Sequence, residues 1–421
     1  MRKVYIESYG CSANHSDTEI MLGLLREKGF KIVNIPKISN INIINTCVVK
    51  TPTENRMIFR MKELSKLNKP LIVAGCMPKV ERRVIERINP HASLIGPNSV
   101  EKIVHVVEET LEGKKVVFLG DSKKPKLCLP RVRKNPVIHI CQISSGCLSA
   151  CSFCIVKNAR GSLLSYPPEL IIKEIKKSLK EGCKEIWITS QDCGCWGKDI
   201  NSSLPELLFL IDKIERNFFV RVGMMNPMHV KDMVDELIES FRSEKIFKFF
   251  HLPVQSGSNR ILNRMNRNYS VNDFKRIVKR IKDEFPFSTI STDVIVGFPG
   301  ERKIDFEKTV KLLKEIKPDV VNISKFGPRP GTLAASMKGL PRKIIDERTK
   351  YLTKIVERIK LKNNEKWLGW KGKVLVDEKG DKNMMGRNLA YKPIVMRGRI
   401  GTFKEVKITE VRSTYLIGEL I

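Results

Sequence analysis

No apolar run in the 421 residues approaches the roughly 18 that a membrane span needs. The start, MRKVYIESYG, has no hydrophobic leader region, which argues against secretion. Internal repeats and low-complexity segments are missing, so neither a solenoid nor a compositionally biased tail is expected. Acidic side chains are scarce: 46 Asp and Glu stand against 77 Lys and Arg, a net charge of +31. An excess of that size is a statement about partners, and the commonest polyanionic partner is nucleic acid. Hydrophobic residues at 42% and charged residues at 29% exclude disorder as a description of the whole chain. The cytoplasm is therefore the expected compartment, with no membrane association. Thiols stay reduced there, so 11 cysteines point to metal, cluster or catalytic chemistry rather than disulfides.

Along the chain the pattern changes three times. Residues 1–112 alternate short apolar strands (Lys3–Glu7, Ile41–Asn45, Leu71–Ala74) with helical stretches, the signature of a parallel α/β sheet. Residues 113–136 form the expected linker; the part DSKKPKLCLPRVRKNP carries three prolines and is strongly basic. Residues 137–364 resume the alternation in longer units. Six candidate strands, Val137–Gln142, Glu185–Thr189, Phe219–Gly223, Lys248–His251, Thr289–Val296 and Val320–Phe326, predict a full or partial (β/α) barrel. A charged amphipathic helix over 342–364 ends this unit. Residues 365–421 are short strands broken by glycines, which suits a small antiparallel β-barrel. The fold class is thus α/β with a small all-β domain at the end.

The strongest local signal is Cys147-Leu-Ser-Ala-Cys151-Ser-Phe-Cys154. Three thiolates at this spacing can hold three irons of a [4Fe–4S] cluster and leave the fourth open, whereas a zinc site wants a fourth protein ligand. Three further cysteines, Cys11, Cys47 and Cys76, each follow a predicted strand of the first domain. In a parallel sheet such strand ends share one edge. These residues therefore converge if the topology holds, although three scattered buried thiols would read the same. Cys193 and Cys195, just beyond a barrel strand, read as small loop fillers or as a transient sulfur relay.

The CxxxCxxC segment resembles the signature of the radical S-adenosylmethionine enzymes. In that superfamily the open iron binds the amino and carboxylate groups of S-adenosylmethionine, and one electron from the cluster yields a 5′-deoxyadenosyl radical. YGC with its following Asn14 and Asp17, then NTC and GC, are similar to the amino-terminal domain of the methylthiotransferase family. That resemblance covers essentially the whole chain. It implies a second [4Fe–4S] cluster on Cys11, Cys47 and Cys76, a radical core, and a carboxy-terminal TRAM domain that grips RNA. The strings WITSQDCGCWGKDI, SSLPELL and VGMMNP look like the archaeal and eukaryotic branch. That branch adds a methylthio group to carbon 2 of N6-threonylcarbamoyladenosine at position 37 of tRNA, in the anticodon arm. Alternatives are the same chemistry on isopentenyladenosine or on a ribosomal protein. A different class would be a non-catalytic iron–sulfur protein that binds RNA.

Barrel strands end at an active face. Ser190, Gln191 and Asp192 offer polar groups to S-adenosylmethionine there, or simply cap the next turn. His251, Gln255, Asp293, Gly297 and Arg329 lie in strand-end stretches similar to the family's core motifs. Of these, Gly297 would let backbone approach a ligand and Arg329 would hold a carboxylate or phosphate. Residues 365–421 hold 12 Lys or Arg against 7 Asp or Glu. Arg387, Lys392 and Arg399 are expected to follow RNA phosphates, and Tyr391 to stack on an unpaired base or else sit in the barrel core.

Overall fold

Every residue of Ile41–Thr46 and of Leu71–Gly75 is buried. Strands buried on both faces need helices on both sides, which a parallel sheet supplies. A computed structural model of the chain describes residues 1–381 and 383–421, and its first unit is that sheet. Six strands run in the order Lys31–Val33, Lys3–Ser8, Ile41–Thr46, Leu71–Gly75, Ser93–Ile95, Val117–Phe118, and every pairing is parallel. Cys11, Cys47 and Cys76 therefore leave neighbouring strands at the same edge.

The middle unit has two parallel arcs of three strands. One joins Phe219–Val222, Glu185–Thr189 and Ile138–Gln142; the other joins Phe249–His251, Thr289–Val296 and Val320–Lys325. A bridge from Val220 to Ile246 and a backbone bond from Phe247 to Val220 splice them. No pairing closes the first strand on the last among the described residues, so the barrel is partial. The outer helices are amphipathic. Helix Val271–Glu284 buries Phe274, Ile277, Val278 and Ile281, one face at 3.6-residue period, behind a capping box of Ser270 and Asp273. The long helix Arg342–Glu365 is mostly solvated and buries Ile345, Leu352 and Val356 towards the core.

Residues 371–420 close into a five-stranded barrel. Four of its five joints are antiparallel, and Pro393–Met396 pairs with Leu416–Leu420 in parallel. This barrel docks on the amino ends of the large barrel's strands, opposite the cysteine face. Leu375, Leu389, Tyr391, Ile400 and Phe403 pack there on Val137, Phe219, Phe247 and Phe249.

That docking corrects three expectations. Tyr391 does not face RNA: its ring lies 4.8 Å from Phe247 and 5.1 Å from Phe249, with the Arg221 guanidinium over it. Lys392 is buried and ion-paired with Asp319 at 2.8 Å, and also reaches Asn364 at 3.0 Å. Arg387 is engaged by Asp377 and Glu378 and stacks on Tyr391. Of the four named residues only Arg399 is exposed. Residues 121–136 also differ from a free linker. Lys126 is 3% exposed and pairs with Asp17 at 2.6 Å, Arg131 pairs with Glu174, and Pro130 fills the space beside Gly23.

The docking seam contains two neighbouring buried carboxylates, Glu185 and Asp377. Among the described residues each has an oxygen without a hydrogen-bond partner, which fits a proton shared between them. Burial, then the Asp377 charge, pushes Glu185 up to about 8, and burial pushes Asp377 up to about 6. A carboxyl raised in the folded state favours folding below its ordinary value, and that contribution is lost as pH climbs towards 8. Glu185→Gln should therefore flatten the fall of Tm between pH 5 and pH 8 by about 3 °C, measured by scanning calorimetry. An unchanged pH profile would show that the seam holds no extra proton.

Candidate active site

The first triad sits where three strand ends meet. Cys11 caps the helix Ser12–Glu27, Cys47 follows Ile41–Thr46, and Cys76 caps the short helix Met77–Val80. The loops are in tight contact: a side chain at Gly10, whose φ is +106°, would meet Cys47 Sγ at 2.8 Å. Asn14 ties the loops together, donating from Nδ2 to the carbonyls of Tyr9 and Thr46 at 2.9 and 2.8 Å. Its Oδ1 accepts from Arg160 Nη2 at 2.7 Å, and the same nitrogen donates to Asp17 Oδ2 at 3.0 Å. Burial, then the neighbouring Cys11, pushes the Cys47 thiol up to about 12; burial also raises Cys76. Thiols whose charge is disfavoured by burial and by their neighbours, as at Cys47 and Cys76, fit a group that brings positive charge. Arg160 adds a buried guanidinium nitrogen, Nη1, with no hydrogen-bond partner among the described residues, which would offset the net negative charge of three thiolates holding such a group.

The second triad lies on the loop after Ser144–Ser145. Gly146 has φ +75° and passes against the Ser162 carbonyl, where a Cβ would collide at 1.9 Å. Cys147 Sγ accepts from the Ser149 amide at 3.3 Å, and Cys151 Sγ accepts from Arg267 Nη1 at 3.5 Å. Phe153 packs edge-on against Phe298, holding the loop to the barrel. A hydrogen bond with Cys195, working against burial, draws Cys147 down to about 7. Burial and the charges of Cys151 and Cys147 push Cys154 up to about 11.

The two triads share a wall. Helix Val156–Arg160 begins two residues after Cys154. Ile155 and Ala159 pack into the cluster of side chains that contains Cys47, Cys76 and Met77, and Arg160 reaches Asn14. Arg160, Arg267 and Asn14 thus matter more than single-residue inspection suggests. Asn14 had a signal in the YGC motif; Arg160 and Arg267 had none.

The rim residues separate into two groups. Gln191 Oε1 and Asp192 Oδ2 are buried oxygens with no donor among the described residues, a fit for the ammonium of S-adenosylmethionine. Burial pushes Asp192 up to about 6, opposed by the Asn226 amide and Arg267. Ser190 accepts from the Asp192 amide at 3.1 Å. His251 Nε2 and Asp293 Oδ1 are 3.0 Å apart, and Asn322 donates to the same oxygen at 2.8 Å. Burial opposes the Asp293 charge, yet these bonds hold the carboxylate below its ordinary value. Gln255 stands next to this pair, its amide bonded to the Asp293 carbonyl. Two expectations are corrected. Gly297 serves packing, since a Cβ there would meet Ile345 Cγ1 at 2.5 Å and its N–H is taken by Glu301. Arg329 is 6% exposed and already holds a carboxylate, that of Glu54, with Thr51 beside it. It latches the rim to the first domain instead of waiting for a ligand.

A partial barrel with a CxxxCxxC loop at its carboxyl face defines the class: this is a radical S-adenosylmethionine enzyme, and residues 141–313 match the Radical SAM superfamily. Residues 3–96 match the uncharacterized protein family UPF0004 and residues 370–421 the TRAM domain. The fold resembles a radical S-adenosylmethionine methyltransferase, TsrM, from Kitasatospora setae, with TM-score 0.59 and 14% identity over 80% of this chain and 75% of that one. A probable threonylcarbamoyladenosine tRNA methylthiotransferase of Pyrococcus horikoshii is 45% identical over 100% of both chains. The threonylcarbamoyladenosine tRNA methylthiotransferase of Homo sapiens is 37% identical over 100% of this chain and 74% of its own length. The chain belongs to the threonylcarbamoyladenosine tRNA methylthiotransferase family.

Proposed function

We propose that this chain methylthiolates carbon 2 of N6-threonylcarbamoyladenosine at position 37, in the anticodon arm of tRNA. The observation that carries the reading is the shared wall: one five-residue helix, Val156–Arg160, leaves the Cys147 triad and packs on the Cys11 triad. Two centres so joined suit a reaction that must both activate a carbon and deliver sulfur to it. Hydrogen on carbon 2 of an adenine is not acidic, so side-chain bases alone are poor agents for removing it.

Cys147, Cys151 and Cys154 would hold one [4Fe–4S] cluster and Cys11, Cys47 and Cys76 the other; with S-adenosylmethionine they supply hydrogen-atom abstraction and the sulfur to be transferred. The chain's own residues bind and orient. Gln191 and Asp192 present bare acceptors to an ammonium group, and Asp192 is fixed for this by the amides of Gly194 and Asn226. His251 is held by Asp293, which fixes its ring at the rim. Arg267 sets its charge beside Cys151 and braces the barrel rim through the Pro253 carbonyl at 2.7 Å. Glu54 and Arg329 lock the first domain over that rim. The +31 charge suits a polyphosphate partner.

The two triads should be separable. Cys47→Ala should still release 5′-deoxyadenosine from S-adenosylmethionine under reducing conditions while losing at least about 100-fold in methylthiolated product. Liquid chromatography of both products from one reaction checks it. Normal product from this variant would refute the division of labour, and no 5′-deoxyadenosine from the parent would favour a non-catalytic iron–sulfur protein.

A further inference from the structure

We propose that Cys147, Asp192 and Cys195 form a mononuclear site for a soft divalent cation, zinc or ferrous iron, in chains that hold no cluster at the Cys147 triad. This rests on the reading of Cys147 as a cluster ligand and gives that thiolate a second use. Sγ of Cys147, Sγ of Cys195 and a carboxylate oxygen of Asp192 all lie within 4.8 Å of one another. A tetrahedral ion with thiolates at about 2.3 Å spaces its ligands by about 3.8 Å, so small side-chain rotations bring all three onto one ion. Thiolates on different irons of a cube stand farther apart, so the closeness of Cys195 to Cys147 favours a single ion over a shared cube.

The carboxylate is arranged in advance. Asp192 is 1% exposed. Its Oδ1 accepts from the backbone N–H groups of Gly194 and Asn226, both at 3.0 Å. Its Oδ2 is buried with no donor among the described residues. An outer-shell grip on one oxygen with the other left bare is how proteins orient a ligating carboxylate. Cys195 is fully buried at the end of the short turn Cys193–Cys195, where no solvent competes for its sulfur. Lys198 and Arg267 lie near Asp192, but two thiolates and a carboxylate outweigh them. His229 Nε2 stands 3.6 Å from Asp192 Oδ2, beside the three ligands but outside the group whose atoms all lie within 4.8 Å of one another. Two soft sulfurs with one oxygen select zinc or ferrous iron over magnesium or calcium.

The test uses the full chain carrying Cys151→Ala and Cys154→Ala, with the cluster at the Cys11 triad reconstituted. Cobalt(II) is the probe, because thiolate-to-cobalt charge transfer counts the sulfurs and the visible bands report tetrahedral geometry. One equivalent should bind with the intensity of two thiolates, and zinc should displace it. Adding Cys195→Ser should remove about half of that intensity and weaken binding about tenfold or more. Asp192→Asn should weaken binding with the intensity kept. Absence of cobalt binding, or a spectrum indifferent to Cys195→Ser, would overturn the proposal. If the double variant still assembled both cubes, the reading of the Cys147 triad itself would fail, which iron analysis distinguishes. Circular dichroism checks the fold. Should the double variant not fold, parent and Cys195→Ser chains stripped of iron by chelation are titrated instead, and the parent's first equivalent should show the extra thiolate; identical spectra would again overturn the site.

Discussion

A chain carrying Cys147→Ala, Cys151→Ala and Cys154→Ala should keep about half of the roughly eight irons of two cubes after anaerobic reconstitution, and it should release no 5′-deoxyadenosine. The expectation comes from geometry: the two triads lie on separate loops, each with its own brace, Arg267 on one and Asn14 with Arg160 on the other. The remaining iron should vanish when Cys11, Cys47 and Cys76 are changed as well. Iron analysis with circular dichroism as a folding control measures both. Loss of all iron from the first folded variant would mean that the chain holds one centre built from both triads.

Arg160→Leu should produce a large loss of stability from a single substitution near the site. Asp17 is 1% exposed and meets Lys126 at 2.6 Å, Gln142 at 2.9 Å and Arg160 at 3.0 Å. Burial works against its charge, but Lys126 and Arg160 hold its carboxyl below the ordinary value. Removing Arg160 leaves that buried charge short of one partner and frees the Asn14 side chain that ties the Cys11 loop, a cost of about 3 kcal/mol. Calorimetry should show Tm lower by about 8 °C at 2–4 °C per kcal/mol, and iron at the Cys11 triad should fall with it. Arg160→Lys should not rescue, since an ammonium cannot span Asn14 and Asp17 as the planar fork does. A melting point within a degree of the parent would show that Arg160 is not the tie.

What could be read without a structure follows the physics of each signal. The short strands Ile41–Asn45 and Leu71–Ala74, alternating with helical stretches, announce a parallel sheet, and the sheet then brings Cys11, Cys47 and Cys76 to one edge. Strands Glu185–Thr189 and Thr289–Val296 have the bounds their patterning gives. Tyr391 had no such signal. An aromatic beside a lysine in a turn reads alike whether it faces RNA or protein, and the rings that decide, Phe247 and Phe249, are distant in sequence. Arg329 and Lys392 fail for the same reason: their partners, Glu54 and Asp319, come from other units. The basic stretch 121–136 reads as a linker because its charges look solvated, yet Lys126 neutralises a buried carboxylate. Cys195 reads as filler because its one informative property, nearness to Cys147, is tertiary.

Deleting the carboxy-terminal barrel is consequently a poor probe of RNA binding. It would bare Phe219, Phe247 and Phe249 and leave Asp319 without Lys392. Substitution of the exposed Arg397 and Arg399 leaves that seam intact.

Methylthiolation is tested most directly by mass spectrometry of nucleosides from tRNA that carries N6-threonylcarbamoyladenosine, incubated anaerobically with the reconstituted chain, S-adenosylmethionine, a reductant and sulfide. This nucleoside should gain one methylthio group in place of hydrogen, with no change in tRNA lacking the threonylcarbamoyl group. Modification of isopentenyladenosine instead, or an unaltered nucleoside despite release of 5′-deoxyadenosine, would contradict the proposed function.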